Sequence, residues 1–132
     1  MSERVDSAGT PHTQQELIVG CILLLVAEER SHGYGLAERI KQLMPLWDLS
    51  PGHIYRELHR LAGDGLVVSV WEASQTRGPA RRVYEITLAG RLALDEWASG
   101  TAALIKMLDE CISAHRSLPA AEHPGQGHES PA

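Results

Sequence analysis

The run Leu17-Ile-Val-Gly-Cys-Ile-Leu-Leu-Leu-Val-Ala27 constrains this chain more than any other stretch. It follows Thr13-Gln-Gln-Glu16, a capping box in which the Thr13 hydroxyl accepts from the backbone N–H of Glu16 and the Glu16 carboxylate reaches back. The run is therefore read as a helix starting at Thr13 and apolar on every side. At eleven residues it is too short to span a bilayer, which needs about 20. A helix of this kind has to be covered on more than one face. A chain of 132 residues holds one ordinary domain, and one domain of that size is expected to leave part of the helix uncovered. The first expectation is thus a partner chain.

Apolar residues make up 43% of the sequence, enough for a packed core, but Phe is absent, so Leu, Ile, Val and Ala have to build it. Trp47, Trp71 and Trp97 stand out as large single anchors. Cys21 and Cys111 both lie in apolar, helix-like runs without metal-ligand spacing and read as two buried thiols in a reducing cytosol. The first dozen residues are polar and give no leader pattern, so a soluble cytoplasmic protein without a membrane partner is expected.

Beyond the first helix, Ser31-His-Gly-Tyr-Gly35 reads as a break, followed by a second helix from about Gly35 to Met44 that Pro45 ends. Ser50 and Pro51 are the N-cap and first residue of a third helix, whose Ile54, Leu58 and Leu61 form a buried stripe. Its outer face is expected to hold His53, Arg56, Glu57 and Arg60, with Tyr55 at the edge. Leu66–Ala73 and Arg81–Thr87 are rich in β-formers and flank a polar Gly78-Pro79 loop, which predicts a hairpin. In the second strand Val83 and Glu85 are expected on one face, Tyr84 and Ile86 on the other. Thr87 then caps a long helix from about Leu88 to Leu118.

The fold class that follows is mainly α with a small β-hairpin: a winged helix-turn-helix with a C-terminal dimerisation helix. Residues 1–12 read as a flexible arm, 13–87 as the DNA-binding domain, 88–118 as the dimerisation helix and 119–132 as a disordered tail. Leu94, Trp97, Thr101, Leu104, Ile105, Leu108, Cys111 and Ile112 recur at three- and four-residue steps, a helix-pairing seam. Pairing that seam with Leu17, Cys21 and Leu24 of the first helix across a two-fold axis would cover both elements. Trp97, near the start of the seam, reads first as an ordinary packing residue of the dimer core; the alternative is that it faces its symmetry mate and offers a stacking surface to a small aromatic effector.

The net charge of −5 argues against nucleic acid at face value, but its distribution does not. Residues 30–91 hold nine basic and six acidic side chains, a local charge of +3, while the remaining segments sum to −8. Candidate DNA contacts are the helix start at Ser50, Pro51 and Gly52, the side chains of Tyr34, His53, Tyr55, Arg56 and Arg60, and the wing arginines Arg77, Arg81 and Arg82. No catalytic constellation emerges. The seven histidines lack zinc spacing, the Gly33-Tyr34-Gly35 segment is expected to follow a helix rather than the strand a phosphate loop requires, and no cofactor or metal is expected. The alternative to an operator-binding regulator is a winged-helix module that binds protein.

The segments HGYGLAERI, LSPGHIYRELHRLAGDGLV and WEASQTRGPARRVYEITLAGRLALDEW together resemble the PadR family of bacterial transcriptional regulators. The matching motifs are His32-Gly33-Tyr34, Ser50-Pro51-Gly52 with Tyr55, Arg60-Leu61 with Gly65-Leu66, Gly78-Pro79 with Arg81-Arg82 and Tyr84, and Ile86-Thr87-Leu88-Ala89-Gly90. Arg56 stands where the family often has Pro, and Ile86 where it usually has Leu. The resemblance spans about Leu17 to Leu108 and implies a dimeric repressor that binds a roughly palindromic operator and is released by a small molecule. The short C-terminal segment fits the members with a single dimerisation helix.

Overall fold

The computed structural model describes residues 10–28, 31–72 and 81–121. Along the chain run α1 (Gln14–Glu28), β1 (Ser31–His32), α2 (Gly33–Leu43), α3 (Pro51–Gly63), β2 (Val67–Glu72), β3 (Arg81–Ile86) and α4 (Leu88–Arg116). Three of the helices begin on the residues whose side chains favour a start. Thr13 Oγ1 accepts from Glu16 N at 3.1 Å, Ser50 Oγ from His53 N at 3.1 Å and Thr87 Oγ1 from Gly90 N at 3.0 Å. The Glu16 carboxylate does reach back, but it accepts from the backbone N–H of His12, one residue before the cap.

The sheet has three strands in the order β1-β3-β2, all antiparallel. The hairpin expected from the sequence is β2-β3, in register from Val67 opposite Ile86 to Glu72 opposite Arg81. The strand β1 was not expected. Ser31 and His32 pair with Tyr84 and Val83, so part of the presumed break is a strand and the second helix starts at Gly33. The Gly33-Tyr34-Gly35 segment therefore follows a strand after all, although one of only two residues. With a partner on either side, β3 is the central strand. Val83 and Tyr84 are both buried, which replaces the expected one-sided alternation.

α1 lies at the centre of the molecule and touches α2, β3 and α4. Its own chain buries Ile18, Cys21, Ile22, Leu23, Leu25 and Val26, and Leu24 alone among its large apolar residues is exposed. The expectation that one domain leaves this helix uncovered is therefore corrected. The first half of α4 supplies the missing cover: Leu94 joins the core around α1, and Trp97 packs against it. Segment 88–118 thus shares its core with 13–87. Pro11, placed by the sequence in a loose arm, is buried. The rest of that arm (1–9), most of the tail and the wing loop, including Arg77, Gly78 and Pro79, lie outside the described residues.

Beyond Gly100, α4 loses its cover. Ile105, Met107, Leu108 and Ile112 are exposed, and Thr101 and Leu104 are half-buried.

Candidate nucleic-acid interface

α3 owes its orientation to the stripe Ile54, Leu58 and Leu61, each almost wholly buried against α1 and α2 residues. That packing turns the opposite side outward. Around a helix of 3.6 residues per turn, the positions farthest from the stripe are Gly52, Arg56, His59 and Gly63, with Tyr55 beside them. All five are exposed, as is Pro51. At the helix start a Cβ on Gly52 would meet only Arg56 Nη1 at 3.8 Å and Ser50 Oγ at 3.9 Å. The first turn is bare, with the Arg56 guanidinium lying back toward it. Helix dipole and guanidinium thus present positive charge at the same end.

The remaining sequence-derived positions are distributed differently. Glu57, expected on the outer face, is only 8% exposed. It accepts from Gln15 Nε2 at 3.1 Å and from Arg60 Nη2 at 2.8 Å, tying α3 to the first turn of α1. Arg60 is itself exposed, but its guanidinium is tied to Glu57. The hydrogen bond to Glu57 holds its guanidinium above its ordinary pKa, so it is a permanent cation partly neutralised by its neighbour. His53 is half-buried, and its Nε2 is buried without a hydrogen-bond partner among the described residues. His59, absent from the sequence-derived set, belongs to the outward surface. The signal was available in its i+4 spacing from Tyr55.

On the hairpin, Arg82 is exposed and its guanidinium carbon lies 5.0 Å from the centroid of the Trp71 ring. Trp71 is no core anchor: 66% of it is exposed. The side chains of Tyr34 and Arg81, like the whole of Arg77, lie outside the described residues.

The seam residues divide at Gly100. Cys21 and Leu94 are buried within the single chain, and burial pushes the Cys21 thiol above its ordinary pKa. Trp97 is a packing residue, though within one chain and not in a dimer core: it packs on Gly20 of its own α1 and donates from Nε1 to the Glu16 carbonyl at 3.1 Å. The contact foreseen across a two-fold axis between the first and last helices is therefore present within one chain. Trp97 also lines a cavity of about 320 Å³ between α1, α3 and α4, together with Val19, Leu23 and Leu61 and the charged Glu16, Arg60 and Asp64. Ile105, Leu108, Cys111 and Ile112 remain on the surface, so Cys111 is not the buried thiol expected from its apolar run: that stretch of α4 lies beyond the core. No cluster of three or more His, Cys, Asp or Glu residues suited to a metal, and no helix long and apolar enough to cross a membrane, occurs among the described residues.

Residues 22–96, which include the whole of α2, α3 and the hairpin, match the Transcriptional regulator PadR-like family. The chain belongs to this family. The family is one of transcriptional regulators. Among PadR-like relatives, the transcriptional regulator Rv3488 of Mycobacterium tuberculosis is 44% identical over 75 residues, which are 57% of this chain and 66% of that protein. The match thus spans just under two thirds of the relative's length. A PadR-like transcriptional regulator from Bacillus cereus has a similar fold, with a TM-score of 0.67 at 26% identity over 74% of this chain and 93% of the other. Bacillus subtilis PadR, solved in complex with operator DNA, gives a TM-score of 0.55 at 24% identity over 62% of this chain and 46% of the other.

Proposed function

We propose that this PadR-like regulator binds double-stranded DNA as a homodimer, reads a roughly palindromic operator, and represses transcription until a small-molecule effector releases it. The observation that carries DNA binding is the outward side of α3. Its capped, bare first turn, with Tyr55, Arg56 and His59 exposed beside it, suits phosphate approach at the helix N-terminus and base contact along the groove. Arg82 on the hairpin offers a second cation, and the shared fold with operator-bound Bacillus subtilis PadR supports the same reading.

The dimer is supported by α4. Ile105, Leu108 and Ile112 are 61%, 50% and 47% exposed at three- and four-residue steps, the pattern of a helix that pairs with another. The cavity at Trp97 supports the effector, since its volume of about 320 Å³ is at the small end for ligand sites, and apolar side chains provide much of its wall.

Selection of bound fragments from random duplex DNA tests the reading. The expected result is enrichment of two half-sites related by two-fold symmetry, with affinity falling linearly in log–log form as salt rises. Leu108→Glu is expected to shift the protein to monomer in sedimentation and to abolish operator binding. Failure to enrich any sequence, with salt-insensitive binding to a protein instead, would refute the DNA reading.

A further inference from the structure

The hairpin holds an indole that the core does not use. Trp71 is 66% exposed, whereas Trp47 and Trp97 are half-buried and pack against the core. Leaving so large an apolar surface in water brings no folding benefit, which directs attention to what the ring touches. Its register partner across the hairpin is Arg82, and the guanidinium carbon lies 5.0 Å from the ring centroid.

Side chains alternate along each strand, so Val67, Ser69 and Trp71 share a face with Ile86, Tyr84 and Arg82 opposite them. Val67 and Tyr84 on that face are buried in the core with residues of α1, α2 and α3. Trp71 and Arg82 are the next same-face pair beyond Ser69 and Tyr84 and are exposed. They extend from the side of the sheet that packs in the core with α1, α2 and α3.

A guanidinium stacked on a ring uses its flat face for the contact and keeps its N–H donors in the plane, free for an anion. Stacking also restricts a side chain that would otherwise sample many rotamers, so less freedom is lost when the anion binds. Resting on the DNA-binding reading above, we propose that Trp71 is a positioning residue for Arg82, and that the stacked pair is a preformed clamp for a phosphate of the duplex beside the α3 site.

The test uses the full chain, an operator duplex from the selection experiment, and 5-fluorotryptophan labelling read by fluorine NMR. The Trp71 resonance is assigned by its absence in Trp71→Phe. It is expected to shift in Arg82→Ala without DNA, and to shift in the wild type when the duplex is added; an unmoved resonance in Arg82→Ala overturns the stacking. In anisotropy titrations Trp71→Ala is expected to weaken binding about two- to five-fold and Trp71→Phe to restore most of it, with melting temperatures unchanged. Arg82→Ala is expected to weaken binding and to flatten the salt slope by about one. The double variant Trp71→Ala/Arg82→Ala is expected to bind like Arg82→Ala alone. Losses that multiply, or a Trp71→Ala protein that binds like the wild type, overturn the positioning role while leaving DNA binding intact. A wild type that binds no duplex overturns the DNA reading and the clamp together, even where the Arg82→Ala resonance shift is seen.

Discussion

Gly20→Ala sets two well-measured effects against each other at one atom. Gly20 is buried in the middle of α1, and helix propensity alone predicts that alanine there stabilises by about 1 kcal/mol. A Cβ on Gly20, however, falls well inside van der Waals contact with the Trp97 ring. The ring is not free to step aside, because its Nε1 donates to the Glu16 carbonyl at 3.1 Å, one turn back along the same helix. Overpacking of a well-filled site costs about 1–3 kcal/mol. Displacing the indole also forfeits its hydrogen bond, about 1 kcal/mol net. The opposing terms exceed the propensity gain, and Gly20→Ala is expected to destabilise by about 1–3 kcal/mol. In a Trp97→Ala background the obstacle is gone, and the same substitution is expected to stabilise by about 1 kcal/mol. Urea unfolding followed by far-UV circular dichroism measures all four proteins, at one fixed protein concentration because association of copies would add to stability. A Gly20→Ala protein as stable as the wild type, or a loss that persists without Trp97, would show that the α1–α4 contact is not as described.

Three further outcomes follow from the same structure. Glu57→Gln keeps the hydrogen bond from Gln15 but removes the ion pair with the half-exposed Arg60, and a loss of about 1 kcal/mol is expected in thermal melts. Arg60→Ala is expected to scale affinity for all duplexes alike, through stability, whereas Arg56→Ala or His59→Ala changes preference among sequences, as competition between operator variants will show. The buried Cys21 thiol has a raised pKa, so the folded chain holds its proton while the unfolded chain releases it. The stability this contributes is present below the ordinary thiol range and is lost as pH rises through it and toward the folded value. The urea midpoint is therefore expected to fall on the alkaline side, and to fall less in Cys21→Ala.

What the sequence reveals depends on how far apart the cooperating residues are. The starts of α3 and α4 were legible because Ser50 and Thr87 cap through bonds spanning three residues. The hairpin was legible because β-formers flank a turn signal. β1 was not, since it is two residues long and its partners Val83 and Tyr84 lie some fifty positions away. The surroundings of α1 were illegible for the same reason. Its composition says that it must be covered, but whether by a second copy or by Leu94 and Trp97 of its own chain is a matter of long-range packing. In the α3 site, the buried stripe fixed which side faces outward, yet Glu57 was misplaced. A carboxylate beside the stripe reads as solvated until Gln15 and Arg60 are seen to satisfy it. Trp71 was misread by the opposite habit, that of assigning every indole to a core.

α4 runs without interruption from Thr87, at the exit of β3, to Arg116. At about 1.5 Å per residue its 29 residues form a rod about 43 Å long. Thr87 fastens the near end, donating from Oγ1 to the Gly65 carbonyl at 2.7 Å while capping the helix. Such a rod is a lever. A rotation of one degree about Thr87 carries the far end through about 0.75 Å, so three degrees moves it by more than the length of a C–C bond. A tilt too small to disturb the core at Leu94 would still be large at Ile112, and a load applied at the far end would reach the hairpin and α3 magnified in force as it is reduced in travel.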